Sequence, residues 1–132
     1  ENFAKEILKK KADKIAIVLG LQGDLGAGKT TFLQGFAKGL GIKEKILSPT
    51  FIISKRFKIY NPRFKNFYHF DCYRLNKSEE VLILDFKEII LNPENIVTIE
   101  WPEEIKNILP KKIIKIKFKH IDENTREILI KL

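Results

Sequence analysis

The chain has 132 residues, 44% of them hydrophobic, which suits one domain spanning residues 1–132 and leaves no room for a second of ordinary size. No segment reaches the ~18 consecutive apolar residues of a membrane-spanning helix, and no signal-peptide pattern opens the chain. We therefore expect a cytoplasmic protein without a membrane partner. The single cysteine, Cys72, fits a reducing compartment. The net charge of +8 favours a polyanionic partner such as RNA, although scattered lysines equally fit a biased base composition of the source genome.

Apolar periodicity predicts a helix, a strand and a second helix in the first third of the chain. The first helix presents its apolar residues at helical spacing: Phe3, Ile7, Leu8 and Ala12. Residues 15–21 (IAIVLGL) are β-branched and almost wholly apolar, which is typical of a strand buried on both faces. The second helix begins at Thr30 and ends at Gly41, a suitable C-terminal cap.

The rest of the chain alternates short strands with two helices. We predict, in order, strands at 52–60 and 67–74 joined by the turn NPRFKN, a helix beginning at Ser78, a strand at 95–101, a short helix at 102–110, and strands at 112–120 and 126–132. The last two strands alternate strictly and flank DENT, which indicates a half-exposed hairpin. This order predicts an α/β sandwich with a mixed sheet.

The loop after the first strand carries a phosphate-binding pattern. Gly23, four further residues, then Gly28, Lys29 and Thr30 match G-x-x-x-x-G-K-[ST] without deviation. Glycines let successive amides face phosphate oxygens, and the following helix N-terminus favours an anion. Lys29 is placed for the β- and γ-phosphates, the Thr30 hydroxyl for Mg²⁺ and Thr31 for the α-phosphate. The flanking strand and helix give this motif its required context, and we interpret it as a nucleotide site.

Two carboxylates at strand ends are candidates for completing a catalytic site. Glu100 ends the apolar run IVTIE and can hold Mg²⁺ opposite Thr30, or can simply mark where solvent begins. Asp71 shares a strand face with His69 and Tyr73, where it can orient a water, unless this is an edge strand with an ordinary wet face. A lone histidine such as His69 more often makes a structural hydrogen bond than takes part in chemistry.

The stretch SPTF contains Thr50, which is a candidate for sensing the γ-phosphate, as a threonine does in P-loop switch proteins. Ser-Pro-Thr is also a commonplace turn, and the residues alone favour that interpretation.

Four stretches occur together and in order: GDLGAGKTTF, SPTF, HFDCYRL and IEWPE. Together they resemble the TsaE (YjeE) family of small bacterial P-loop ATPases over nearly the whole chain. The resemblance implies a three-layer P-loop NTPase sandwich with a mixed, partly antiparallel central sheet, ATP and Mg²⁺ binding, and weak ATPase activity. It further implies action with TsaB and TsaD in forming threonylcarbamoyladenosine beside the anticodon of tRNAs that read codons beginning with A.

The resemblance also implies roles for individual residues. Those binding the nucleotide would be Gly23, Asp24, Gly26, Ala27, Gly28, Lys29, Thr30, Thr31, Trp101 and Arg126. Thr30 and Glu100 would bind the metal. Asp71, Lys29 and Thr50 would be catalytic, with Thr50 acting as the switch-like threonine.

Two other classes of protein remain as alternatives. A short small-molecule kinase would need a lid and an arginine-rich acceptor pocket, whereas the four arginines form no cluster in the sequence. A basic RNA-binding module would use nucleotide only structurally, and a Lys29→Ala variant would then leave tRNA modification intact. The sequence leaves open whether contact with tRNA is direct or indirect.

Overall fold

The computed structural model describes residues 2–9, 14–23, 28–44, 54–71, 80–103, 108–120 and 126–131. These residues form three helices, which are α1 (Asn2–Leu8), α2 (Lys29–Gly39) and α3 (Glu80–Leu91). They also form six strands, which are β1 (Ile17–Gln22), β2 (Ser54–Lys58), β3 (Asn66–Asp71), β4 (Asn95–Glu100), β5 (Ile114–His120) and β6 (Arg126–Lys131). None of the helices in these ranges has the length and apolar character needed to cross a bilayer.

All six strands belong to one sheet in the order β2-β3-β4-β1-β5-β6. The four central strands are parallel, whereas β2 and β6 pair antiparallel with β3 and β5 at the two ends. The α/β class and the mixed sheet predicted from the sequence are therefore confirmed. Because β3, β4, β1 and β5 run in the same direction, their carboxyl ends meet at one edge, where open α/β sheets bind ligands.

Helices cover both faces of the sheet. The core between the sheet and helices α1 and α2 includes Ile7, Leu19, Leu33, Phe36, Phe67 and Ile96. The core beneath α3 includes Val18, Phe70, Phe86, Ile90, Val97 and Ile99. Strand alternation divides these two sets, since consecutive side chains of a strand point to opposite faces. Side chains that share a face with Phe67 and Ile96 therefore lie on the α2 side, and so do the candidate carboxylates.

Three details of the second half depart from the sequence prediction or lie beyond the description. Strand β3 lies between β2 and β4, so the edge-strand alternative for Asp71 is wrong. In the terminal hairpin, β5 buries Ile116 and Phe118 as expected, whereas Ile128 and Ile130 of β6 are 46% and 44% exposed. Neither core includes any of the β6 side chains that the structure describes. Residues 104–107, in the middle of the predicted short helix at 102–110, lie outside the described residues.

Candidate functional site

The glycine-rich loop connects β1 to the first turn of α2. Gly28 is the N-cap of α2 and adopts a left-handed conformation (φ 100°), which suits a residue without a Cβ. No side chain caps this helix end, and the first helical hydrogen bond runs from the Phe32 N–H to the Gly28 carbonyl at 3.0 Å. The amides of the first turn therefore remain available to an anion. Asp24, Gly26 and Ala27 lie outside the described residues.

Lys29, the first residue of α2, is buried although it carries a charge. Its side chain is 5% exposed, and Nζ lies 3.9 Å from the centroid of the Trp101 ring. A cation over an aromatic face gains electrostatic stabilisation, which offsets part of the cost of desolvation. Thr30 and Thr31, the next two residues, are exposed. Helix α2 thus begins with a buried lysine that contacts the Trp101 ring, followed by two exposed threonines.

The two candidate carboxylates lie at adjacent strand ends beside this loop. In the parallel register Glu100 is opposite Leu21 of β1 on one side and opposite Asp71 of β3 on the other. Neighbouring strands are about 4.8 Å apart, so Asp71 and Glu100 are close together on the α2 face. Glu100 is 4% exposed and Asp71 is half-buried. The alternative that Glu100 simply marks the start of solvent is therefore wrong.

A buried histidine contacts the Glu100 carboxylate. His69 is 1% exposed, and its Nε2 lies 3.0 Å from Oε2 of Glu100. The ring Nδ1 is hydrogen-bonded to the Thr98 hydroxyl at 3.2 Å, and that hydroxyl donates to the Tyr68 carbonyl at 3.4 Å. The expected structural hydrogen bond of His69 is confirmed, and the alternative of a wet strand face is wrong. Sequence reasoning missed Thr98, whose only signal was a hydroxyl within the apolar run IVTIE.

Trp101 follows Glu100 in a strained turn. Its φ of 61° is the only positive value among the non-glycine residues described, a conformation that costs about 1–3 kcal/mol. The Trp101 N–H donates to the Leu21 carbonyl at 3.3 Å, which fixes the end of β4 against β1. The turn thereby directs the ring over Lys29. Such strain is characteristic of functional sites.

The structure thus brings together four of the predicted site residues: Lys29, Asp71, Glu100 and Trp101. Arg126 is more distant: its backbone pairs with His120, at the carboxyl end of β5 and therefore at the same edge of the sheet. Strand β5 extends past the end of β1, because Gln22, the last residue of β1, pairs with Lys117, and β5 continues to His120. Thr50 lies outside the described residues, as does Tyr73.

The family of the chain follows from comparison with known proteins. The profile of the family described as "Threonylcarbamoyl adenosine biosynthesis protein TsaE" matches residues 1–128. The chain belongs to the TsaE family. The family fold is that of a P-loop NTPase, which confirms the resemblance noted in the sequence.

Individual TsaE relatives agree with this assignment. A Bacillus subtilis protein named tRNA threonylcarbamoyladenosine biosynthesis protein TsaE is 42% identical over 111 residues, covering 84% of this chain and 66% of that protein. A Haemophilus influenzae protein of the same name is 37% identical over 123 residues, covering 93% and 75%. The crystal structure of Bacillus subtilis YdiB matches with a TM-score of 0.63 and 34% identity, covering 96% of this chain and 74% of that one.

Proposed function

We propose that this TsaE-family chain binds ATP with Mg²⁺ between the glycine-rich loop and the carboxyl ends of β3 and β4, and hydrolyses it. One observation carries the proposal. The start of α2 presents uncapped amides and a buried Lys29, and the facing strand end presents a buried Glu100 carboxylate. Amides and a lysine suit a polyphosphate, and a carboxylate opposite them suits its divalent cation.

The side chains present fit a magnesium ion. Oε2 of Glu100 is buried and lies 3.0 Å from Nε2 of His69 without forming an aligned hydrogen bond, so the carboxylate can still bind a cation or a cation-bound water. No group of three or more His, Cys, Asp or Glu side chains among the described residues is arranged to hold a metal ion by itself. Mg²⁺ beside a nucleotide needs none, because phosphates and waters supply most of its ligands. Thr30 and Glu100 would hold the ion, which when bound neutralises charge on the β- and γ-phosphates.

The remaining residues would act on the triphosphate and on water. Lys29 would leave the Trp101 ring to donate hydrogen bonds to phosphate oxygens, and the amides of Gly28 to Thr31 would bind the same group. Asp71 would orient the attacking water and accept its proton. The water oxygen bonds to the γ-phosphorus while the bond to the bridging oxygen breaks, which releases ADP and phosphate. Thr50 would sense the γ-phosphate, Trp101 would lie beside the nucleotide, and Arg126 would reach it from β6.

We place this ATPase in the cytoplasm, in the formation of threonylcarbamoyladenosine on tRNA, acting with TsaB and TsaD. Arginines that could stabilise the transition state are sparse in this chain, and Arg63 lies in the turn before β3, at the amino-terminal edge of the sheet. An arginine finger supplied by a partner accelerates turnover by about 10³–10⁵. Slow hydrolysis by the isolated chain and faster hydrolysis in the complex are therefore expected.

The experiment that tests this function measures phosphate release by the isolated chain and in the presence of a TsaB–TsaD pair. We expect a slow Mg²⁺-dependent rate, acceleration by the pair, and loss of both in a Lys29→Ala variant. Unchanged rates together with no association would refute the partnership. Retained tRNA modification by Lys29→Ala would instead support the RNA-binding alternative.

A further inference from the structure

The contacts of His69 differ from those of the other polar side chains between β3 and β4. At the amino-terminal end of these strands, the Asn66 amide donates to Oδ1 of Asn95 at 3.0 Å, and the Asn95 amide donates to the Ile89 carbonyl at 2.9 Å. That pair is satisfied by its own hydrogen bonds, as a purely structural polar pair should be. At the other end, Nε2 of His69 and Oε2 of Glu100 are 3.0 Å apart but are not aligned as a hydrogen bond.

The orientation of the His69 ring is fixed from its other side. The Thr98 hydroxyl lies 3.2 Å from Nδ1 of His69 and 3.4 Å from the Tyr68 carbonyl, so it anchors the ring to the backbone of β3. Because Thr98 is 0% exposed and His69 is 1% exposed, water does not compete for this bond. A rigid support thus holds Nε2 at 3.0 Å from Oε2 of Glu100.

Burying two ionisable side chains at this position costs folding free energy, because both lose their contact with water. Replacing a buried ion pair with apolar residues of similar volume is often neutral or stabilising, so such a pair is weak evidence of a contribution to stability. The cost is explained if the pair serves the adjacent site. Side chains that contact a metal ligand, but not the metal itself, commonly affect the affinity for the metal because they orient the ligand.

We propose that His69 is a positioning residue for Glu100: anchored at Nδ1 by Thr98, it holds the carboxylate toward the divalent cation of the bound nucleotide. This inference rests on the proposed function, because it takes Glu100 to be the acidic ligand of that cation. His69 itself touches neither nucleotide nor metal. Its effect is to restrict the directions that the Glu100 carboxylate can take.

The test uses Trp101, the single tryptophan, as a reporter of magnesium binding. Protein saturated with ADP in metal-free buffer is titrated with Mg²⁺ while the Trp101 emission is recorded. We expect His69→Asn to weaken the apparent Mg²⁺ affinity about 10–100-fold, the range found when partners of metal ligands are removed. His69→Gln should recover much of that affinity, since its longer amide reaches toward the position of Nε2.

Two further variants separate positioning from general destabilisation. Thr98→Val is nearly isosteric and removes only the anchor, so it should weaken Mg²⁺ binding in the same direction and by less. Asn66→Ala disrupts the satisfied pair at the far end of the same strands, so it should lower the unfolding temperature and leave the Mg²⁺ affinity unchanged. All these variants should bind ADP in metal-free buffer as the parent chain does.

The outcomes distinguish this inference from the proposed function. If Glu100→Gln leaves Mg²⁺ binding unchanged, the metal role of Glu100 is wrong and the inference falls with it. If Glu100→Gln weakens Mg²⁺ binding and both His69→Asn and Thr98→Val do not, only the positioning role is overturned. An equal loss of ADP affinity with and without Mg²⁺ in the His69 and Thr98 variants would also overturn it, since it would indicate general damage to the site.

Discussion

Lys29→Met tests whether the buried lysine is a phosphate ligand. Methionine keeps an apolar stem of similar length beneath the Trp101 ring, so the packing changes little while the charge is lost. In the nucleotide-free protein, Nζ of Lys29 lies 3.9 Å from the centroid of the Trp101 ring. This cation–ring contact is worth about 1 kcal/mol and is lost when the lysine turns to the phosphates. On binding, the lysine gains two charge-assisted hydrogen bonds, each worth about 1.5 kcal/mol. The net loss of binding free energy in the variant is therefore about 2 kcal/mol, or about 30-fold in affinity.

The assay for Lys29→Met is calorimetric titration with ATP in metal-free buffer, where hydrolysis is suppressed. Lys38→Met is the matched control, because Lys38 is exposed in the last turn of the same helix. We expect the control to bind ATP within about twofold of the parent, as surface charges distant from a ligand contribute little. Equal ATP affinity of Lys29→Met and the parent chain would refute the phosphate role.

Three further predictions concern stability and the reporter residue. Gly41→Ala should lower the free energy of unfolding by about 1 kcal/mol in chemical denaturation, because φ is +86° at this residue and no atom lies near the added Cβ. Gly41→Asn should lower it by less, and equal stability of the parent and the alanine variant would contradict this reasoning. Phe36→Ala should cost about 3–5 kcal/mol in the same assay, since Phe36 contacts Phe3, Phe32 and Phe67, and a loss below about 1 kcal/mol would show that this core is not closely packed. Trp101 emission should change when ADP or ATP binds with Mg²⁺, and a flat titration with nucleotide demonstrably bound would place the nucleotide elsewhere.

Local patterns were sufficient to predict the elements around the loop. The buried strand, the glycine-rich loop and the amphipathic helix follow from sequence-local physics: β-branched apolar residues, backbone freedom and helical spacing. The observed strand Ile17–Gln22 and helix Lys29–Gly39 each differ from the predicted bounds by one residue at the end that flanks the loop. Gly41 has the positive φ expected of a residue that follows a helix.

Long-range pairing is what the sequence did not reveal. Whether Asp71 faced solvent or a neighbouring strand depended on the pairing of β4 with β3, and β4 begins 24 positions after Asp71 in the sequence. That pairing buries His69 and places it between Thr98 and Glu100, which no periodicity in FYHFD or IVTIE indicates. The exposure of Ile128 and Ile130 also depends on contacts that are distant in sequence. Alternation predicts that a strand has an apolar and a polar face, but not whether a helix covers the apolar face.

The central claim is that the amides and lysine at the start of α2 bind an adenine nucleotide, with a divalent cation held against the end of β4. Its most direct test is calorimetric titration of the parent chain with ATP and with ADP, each in the presence of Mg²⁺ and in metal-free buffer. Saturable binding of both nucleotides, tighter with Mg²⁺, is the predicted result. Absence of any binding heat for either nucleotide, confirmed by equilibrium dialysis, would contradict the account.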